Sequence, residues 1–195
     1  MKALLMLSLG LTLECVGAQA WTYYSTSNTD IQDYEVVVAR GDYEIRKYPG
    51  AHLASVTKLG NMNQMSWEGF RDLAGYIFGG NDESRSIPMT SPVRMVVLGD
   101  STIMSFVMPE QDVKKGLPNP LSRNVRLEET KAMYAATLRF GGYMRQTDLE
   151  AKKADLKAWL ESQNIKYLEP FEFLAYNPPY QMVGRRNEVF VRVEF

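Results

Sequence analysis

One histidine (His52) and one cysteine (Cys15) are all the chain offers of the two commonest nitrogen and sulfur ligands. A lone histidine rules out a two-His metal site and the metalloprotease helix motif. It leaves one option open, an axial ligand to a single iron, since His52 alternates with Leu53 on a predicted strand. Among the acids, Glu128 and Glu129 are adjacent. Strand neighbours point to opposite faces, so they are badly placed as an acid/base pair. No nucleophile elbow, P-loop or Gly-x-Gly-x-x-Gly fingerprint occurs. No catalytic constellation is visible, and a binding protein is expected rather than an enzyme.

The residues best suited to holding a ligand lie on a predicted helix. Trp67, Phe70, Ala74 and Ile77 recur at helical spacing and mix large with small apolar groups, with Arg71 and Asp72 to the side. A flat hydrophobic molecule wants such a surface, aromatics to stack on and small residues to let it approach. The same spacing also serves an ordinary core. Eleven methionines suit an adaptable apolar surface or core packing equally.

The elements that must position these residues follow a simple order. Strands are predicted at Tyr34–Arg40, Tyr43–Tyr48 and Ala51–Lys58, separated by turns at Gly41-Asp42 and Pro49-Gly50. A helix capped by Asn61 or Asn63 ends at Gly79-Gly80, and strands at Val93–Leu98 and Thr102–Met108 follow. Residues 109–124, with three prolines, read as a linking loop. Strands at Val125–Glu129 and Lys131–Phe140 come next. A capping box, Thr147 to Glu150, opens a second helix striped by Leu149, Leu156, Trp159 and Leu160. Strands at Phe171–Tyr176 and Glu188–Glu194 close the chain. The segments from Ala51 and Ala132 share an Ala-x-x-Ala-type start, a basic residue and a glycine before each helix. The order of elements therefore repeats, and an α+β domain of two pseudo-symmetric β-α-β-type halves is expected.

Composition sets the outer limits. Of 195 residues 45% are hydrophobic, which suits one globular core, and a net charge of −1 without basic runs gives no nucleic-acid footprint. Residues 1–20 have the layout of a secretory signal: Lys2, an apolar run from Ala3 to Leu13, then Ala18-Gln19-Ala20. That run is far short of the ~20 residues of a membrane span. Secretion is expected, with a polar arm at 21–33 and one domain at 34–195. Cleavage after Ala20 would remove Cys15 and leave a disulfide-free extracellular protein without an Asn-x-Ser/Thr glycosylation signal.

Several strings in series resemble the SOUL/haem-binding family. They are Tyr43-Glu-Ile-Arg-Lys-Tyr48, the Gly69-Phe-Arg-x-Leu-x-x-Tyr-Ile-Phe-Gly-Gly-Asn81 stretch, Ile87-Pro-Met-Thr-Ser-Pro-Val93, Phe140-Gly-Gly-Tyr143, Tyr176-Asn-Pro-Pro179 and Gly184-Arg-Arg-Asn-Glu-Val-Phe190. The resemblance implies a distorted antiparallel β-barrel of duplicated halves flanked by two long helices. It also implies non-covalent binding of haem or another tetrapyrrole, between the first helix and the loop before the last strand. Carried onto this chain, the pocket falls on Trp67, Phe70, Ala74 and Gly75, with Gln181 between Tyr180 and Met182. The similar branch places basic residues where this chain has Trp67, Gly75 and Gln181, and Arg71 is the nearest cation to replace one. Other members carry histidine after the Tyr-Glu-Ile-Arg string, where Lys47 stands here. The alternative implied is a fold kept as an interaction or signalling module with haem binding lost.

Overall fold

Short alternating segments between turn residues become strands, and the two long periodic segments become helices. The computed structural model describes residues 29–60, 62–143, 146–178 and 180–195. The expected leader, most of the polar arm and the expected cap Asn61 lie outside them. The first half contains β1 (Glu35–Arg40), β2 (Tyr43–Tyr48), β3 (Ala51–Leu59), α1 (Met62–Ile77), β4 (Val93–Leu98) and β5 (Ser101–Val107). A short helix, α2 (Glu110–Lys114), falls in the segment expected to be loop. The second half contains β6 (Val125–Thr130), β7 (Met133–Phe140), α3 (Gln146–Ser162), β8 (Lys166–Ala175) and β9 (Asn187–Glu194).

All nine strands join one antiparallel sheet in the order β1-β2-β7-β9-β8-β4-β5-β3-β6. Without β1 the order is symmetric. A twofold axis between β8 and β4 takes β2-β7-β9-β8 onto β6-β3-β5-β4, and α3 onto α1. The expected duplication is therefore present in the topology.

The expected barrel is not closed by hydrogen bonds, because the end strands β1 and β6 do not pair with each other. The sheet is nevertheless forced to curl. β2 and β3 stand six places apart, about 29 Å on a flat sheet. Only Pro49 and Gly50 separate them, a reach of about 11 Å. β6 and β7 are also six places apart and joined by only Lys131 and Ala132. The two connections pass close to each other: a Cβ on Gly50 would sit 2.8 Å from the Thr130 carbonyl oxygen. Thr130 Oγ1 accepts from Ala51 N at 3.1 Å.

Directly paired residues share a face. On the helix side, Ala54, Val56, Phe106, Val189 and Val191 are buried with Leu73 and Ile77 of α1 and Leu149, Leu156 and Leu160 of α3. Each of these side chains other than Ala54 contributes about 1.5–3 kcal/mol on burial. On the opposite face the pairings align Ser55, Ser105, Arg94, Leu174 and Glu188 in one row. That row is buried and largely polar.

Residues 30–32, expected to be part of a loose arm, are tied down. Ser91 N donates to Asp30 O and Gln32 N donates to Ser91 O, both at 2.8 Å. β8 starts five residues before the expected strand, with its register shifted between Leu168 and Glu172. Pro170 lies in that irregularity, where its missing N–H costs the ladder little.

Candidate ligand-binding site

At 3.6 residues per turn, Trp67, Arg71, Gly75 and Phe78 fall within an arc of about 80°. All four are exposed, Trp67 by 72% and Phe78 by 68%. Phe78, just past the helix end, belongs to this outward face and was not anticipated. Phe70 points inward instead, edge-to-face on Phe106 with ring centroids 5.4 Å apart. Leu73, Tyr76 and Ile77 are buried, and Ala74 lies between the two faces. The stripe read as one surface is thus split. Trp67 is about 60° round the helix from Phe70, enough to carry it from core edge to solvent.

The outward face has a definite chemistry. A Cβ built on Gly75 would meet nothing within 4 Å, so the helix backbone is open to close approach there. Among the described residues Arg71 enters no ion pair. Its neighbour Asp72 is taken by Lys58 at 2.8 Å and by Asn124 at 3.1 Å. The hydrogen bond from Lys58 holds the Asp72 carboxyl below the usual carboxylate range. The face therefore presents two aromatic groups, a bare backbone patch and one available cation.

The loop residues expected to oppose it behave differently from one another. Tyr180 and Met182 are exposed, while Gln181 is 1% exposed. The Gln181 amide is held within its own loop, Oε1 accepting from Asn177 Nδ2 at 3.1 Å and Nε2 donating to Val183 O at 2.8 Å. Arg185 adds bonds to the carbonyls of Pro178 and Gln181. Gln181 shapes the loop, and in this arrangement its side chain is buried rather than presented to a ligand.

His52 pairs across the sheet with Glu129, and its Nε2 is 4.0 Å from Glu129 Oε2. Among the described residues no group of three or more His, Cys, Asp or Glu side chains could hold a metal. No described helix is long and apolar enough to cross a membrane.

The family model described as SOUL heme-binding protein matches residues 29–192. The chain belongs to that family. It is 26% identical to heme-binding protein 1 of Sus scrofa over 181 residues, covering 89% of this chain and 92% of that protein. It is 28% identical to heme-binding protein 2 of Homo sapiens over 163 residues, covering 77% of this chain and 78% of the relative. Among solved structures, the C-terminal domain of EcmrR superposes with a TM-score of 0.57 at 11% identity, covering 83% of this chain and 98% of that one. A hydrolase from Listeria innocua gives 0.56 at 9% identity, covering 81% and 94%. At such identities these two show a shared fold alone.

The strings that mark the SOUL family meet in a buried network on the polar face of the sheet. Arg46, from the Tyr43–Tyr48 string, grips Glu188, from the Gly184–Phe190 string, with two bonds of 2.6 and 3.0 Å. Their side chains are 2% and 0% exposed. Arg186 reaches the other side of Glu188 at 2.6 Å and Tyr34 at 3.0 Å. Tyr176, from the Tyr-Asn-Pro-Pro turn, donates to Glu188 at 2.9 Å. Burial would raise the Glu188 carboxyl, but Arg46 and then Arg186 outweigh it and hold it below the usual range. Burial pushes the Tyr48 phenol up to about 12, so it stays protonated as the partner of Arg46. The sequence signal for this network was the strings themselves; their joint placement needs the fold.

Proposed function

We propose that the protein binds haem or another flat tetrapyrrole outside the cell, on the outward face of α1. Membership of the SOUL family supports haem as a bound ligand. The observation that carries the location is the exposed arc of Trp67, Arg71, Gly75 and Phe78. A planar ring stacks on Trp67 or Phe78 and lies close over Gly75. Arg71 then takes one ligand carboxylate through a charge-assisted hydrogen bond. Tyr180 and Met182 of the β8–β9 loop are the residues that would cover the ring's second face. With one cation at hand, the pocket favours the ring over its carboxylates. The role is that of a carrier rather than an enzyme, and no axial ligand is required.

Secretion rests on the signal-like layout of residues 1–20, and the disulfide-free core is compatible with it.

Titration with hemin, followed by the Soret band, tests the reading. Saturable binding is expected at micromolar hemin, with Arg71→Ala weakening it by about tenfold to a hundredfold. His52→Ala should leave the spectrum unchanged. No Soret shift at micromolar hemin would overturn haem binding and favour the fold as an interaction module.

A further inference from the structure

The polar face of the sheet holds a second candidate site, independent of α1. A cleft of about 460 Å³ opens there, a size typical of small-molecule sites. It lies near the twofold axis, where strands of both halves meet, and the β6–β7 connection forms part of its rim.

Its back wall is built of hydrogen-bonded groups. Ser105 lines it, with its Oγ 2.8 Å from the Oγ of buried Ser55 behind it. Arg94 directs Nε and Nη2 to the same oxygen of Glu172, at 2.9 and 2.8 Å. Among the described residues the second Glu172 oxygen accepts no hydrogen bond. Apolar surface comes from Leu53, Val96, Ile103 and Met133.

The charges decide the ligand class. Three acids (Glu128, Glu129, Glu172) face three bases (Arg94, Lys131, Arg192), so the lining has no formal excess of either sign. A dianion meets as many carboxylates as cations here, and a simple cation fares no better. Among the described residues Glu128, Lys131 and Arg192 enter no ion pair. Both signs are thus available at one opening, beside an apolar wall.

We propose that this cleft binds a small zwitterion with an aliphatic body, an amino carboxylate. Its ammonium group is met by Glu128 and Ser105, its carboxylate by Arg192 and Lys131. Its hydrocarbon lies on Leu53, Val96, Ile103 and Met133. The cation and the anion of the ligand each gain a charge-assisted partner.

The test is an amide-resolved NMR titration of the purified protein with ε-aminocaproate, with caproate and hexylamine as single-charge controls. Saturable shifts are expected on Ser55, Ser105, the Glu128–Met133 segment and Arg192, with both controls binding much more weakly. Glu128→Gln and Arg192→Gln should each weaken ε-aminocaproate by about tenfold, the loss of one charge-assisted hydrogen bond. Both side chains are exposed, so circular dichroism should show an unchanged fold. No shifts at millimolar ligand, shifts outside the cleft, or a control binding as well as the zwitterion would each overturn the proposal. No haem is present in this experiment, so its outcome is separate from that of the hemin titration.

Discussion

α1 carries Trp67 out to solvent, whereas α3 keeps Trp159 stacked on Tyr43, centroids 5.0 Å apart and planes 20° from parallel. The two helices are 16 and 17 residues long and lie on the same face of one sheet, related by its twofold axis. Their inward stripes are alike in kind, Leu73 and Ile77 against Leu149, Leu156 and Leu160, all buried. Their outward faces are not. α3 closes its charges on itself, Lys152 on Asp155 at 2.8 Å and Lys153 on Glu150 at 2.9 Å. α1 leaves an aromatic group, an open glycine and an available arginine. Since the fold supports either kind of surface at equivalent places, nothing in the packing demands the exposed apolar face of α1. A surface with no structural duty is where a ligand is to be sought.

The comparison can be strained at three depths. Deepest are the inward stripes. Leu73→Ala and Leu156→Ala should each cost about 2–5 kcal/mol in denaturant unfolding, since both empty a fully buried site. A clear inequality would show that the halves do not share the core equally. Next are the two tryptophans. Trp159→Ala, losing its stack on Tyr43, should cost on the order of 1–3 kcal/mol, while Trp67→Ala stays within about 0.5 kcal/mol. Equal losses would mean that Trp67 is structural and would remove the argument from its exposure. Smallest are the surface pairs of α3. Glu150→Gln should shift stability by no more than about 0.5 kcal/mol, with the effect shrinking further in high salt.

The order of the strands and of the two long helices, the duplication and the family were legible in the sequence, because hydrophobic period, turn residues and serial strings are local signals; the five-residue α2 is too short to show a period. What escaped was set by distance or by angle. Pro49-Gly50 reads as a turn, and it is one, yet β2 and β3 do not pair; β2 lies between its neighbour β1 and the distant β7, and β3 is taken on both edges by strands more than forty residues away. Pro170 hid the first half of β8, because a proline within a strand is tolerated only where the ladder already slips. The apolar stripe of α1 was visible, but its split into an inward and an outward face turns on a rotation that no count of apolar positions resolves. Gln181 was singled out by alignment, and only the hydrogen bonds of its loop reveal that its amide is committed. The Arg46–Glu188 contact spans 142 positions, so its parts could be seen but not its union. Glycine 80 is the opposite case, a local constraint readable from the Gly-Gly-Asn string. A Cβ there would lie 2.6 Å from the Gly75 carbonyl oxygen, while Asn81 Nδ2 caps the carbonyls of Tyr76 and Arg85.

The swapped strands carry a consequence for how the chain reaches this state. β2 of the first half is sheet partner to β7 of the second, and β6 of the second is partner to β3 of the first. Neither half therefore holds a complete set of partners in its own sequence. Cutting the connection between α2 and β6 would yield two complementary fragments, each able to pair three strands of its own, β3-β5-β4 and β7-β9-β8, but each needing the other to complete the sheet around β2, β6 and the β4–β8 seam. In the intact chain these pairings bridge long loops, whose closure must precede the contacts that reward it. High contact order of this kind places folding in the slow range of single domains, about milliseconds to seconds.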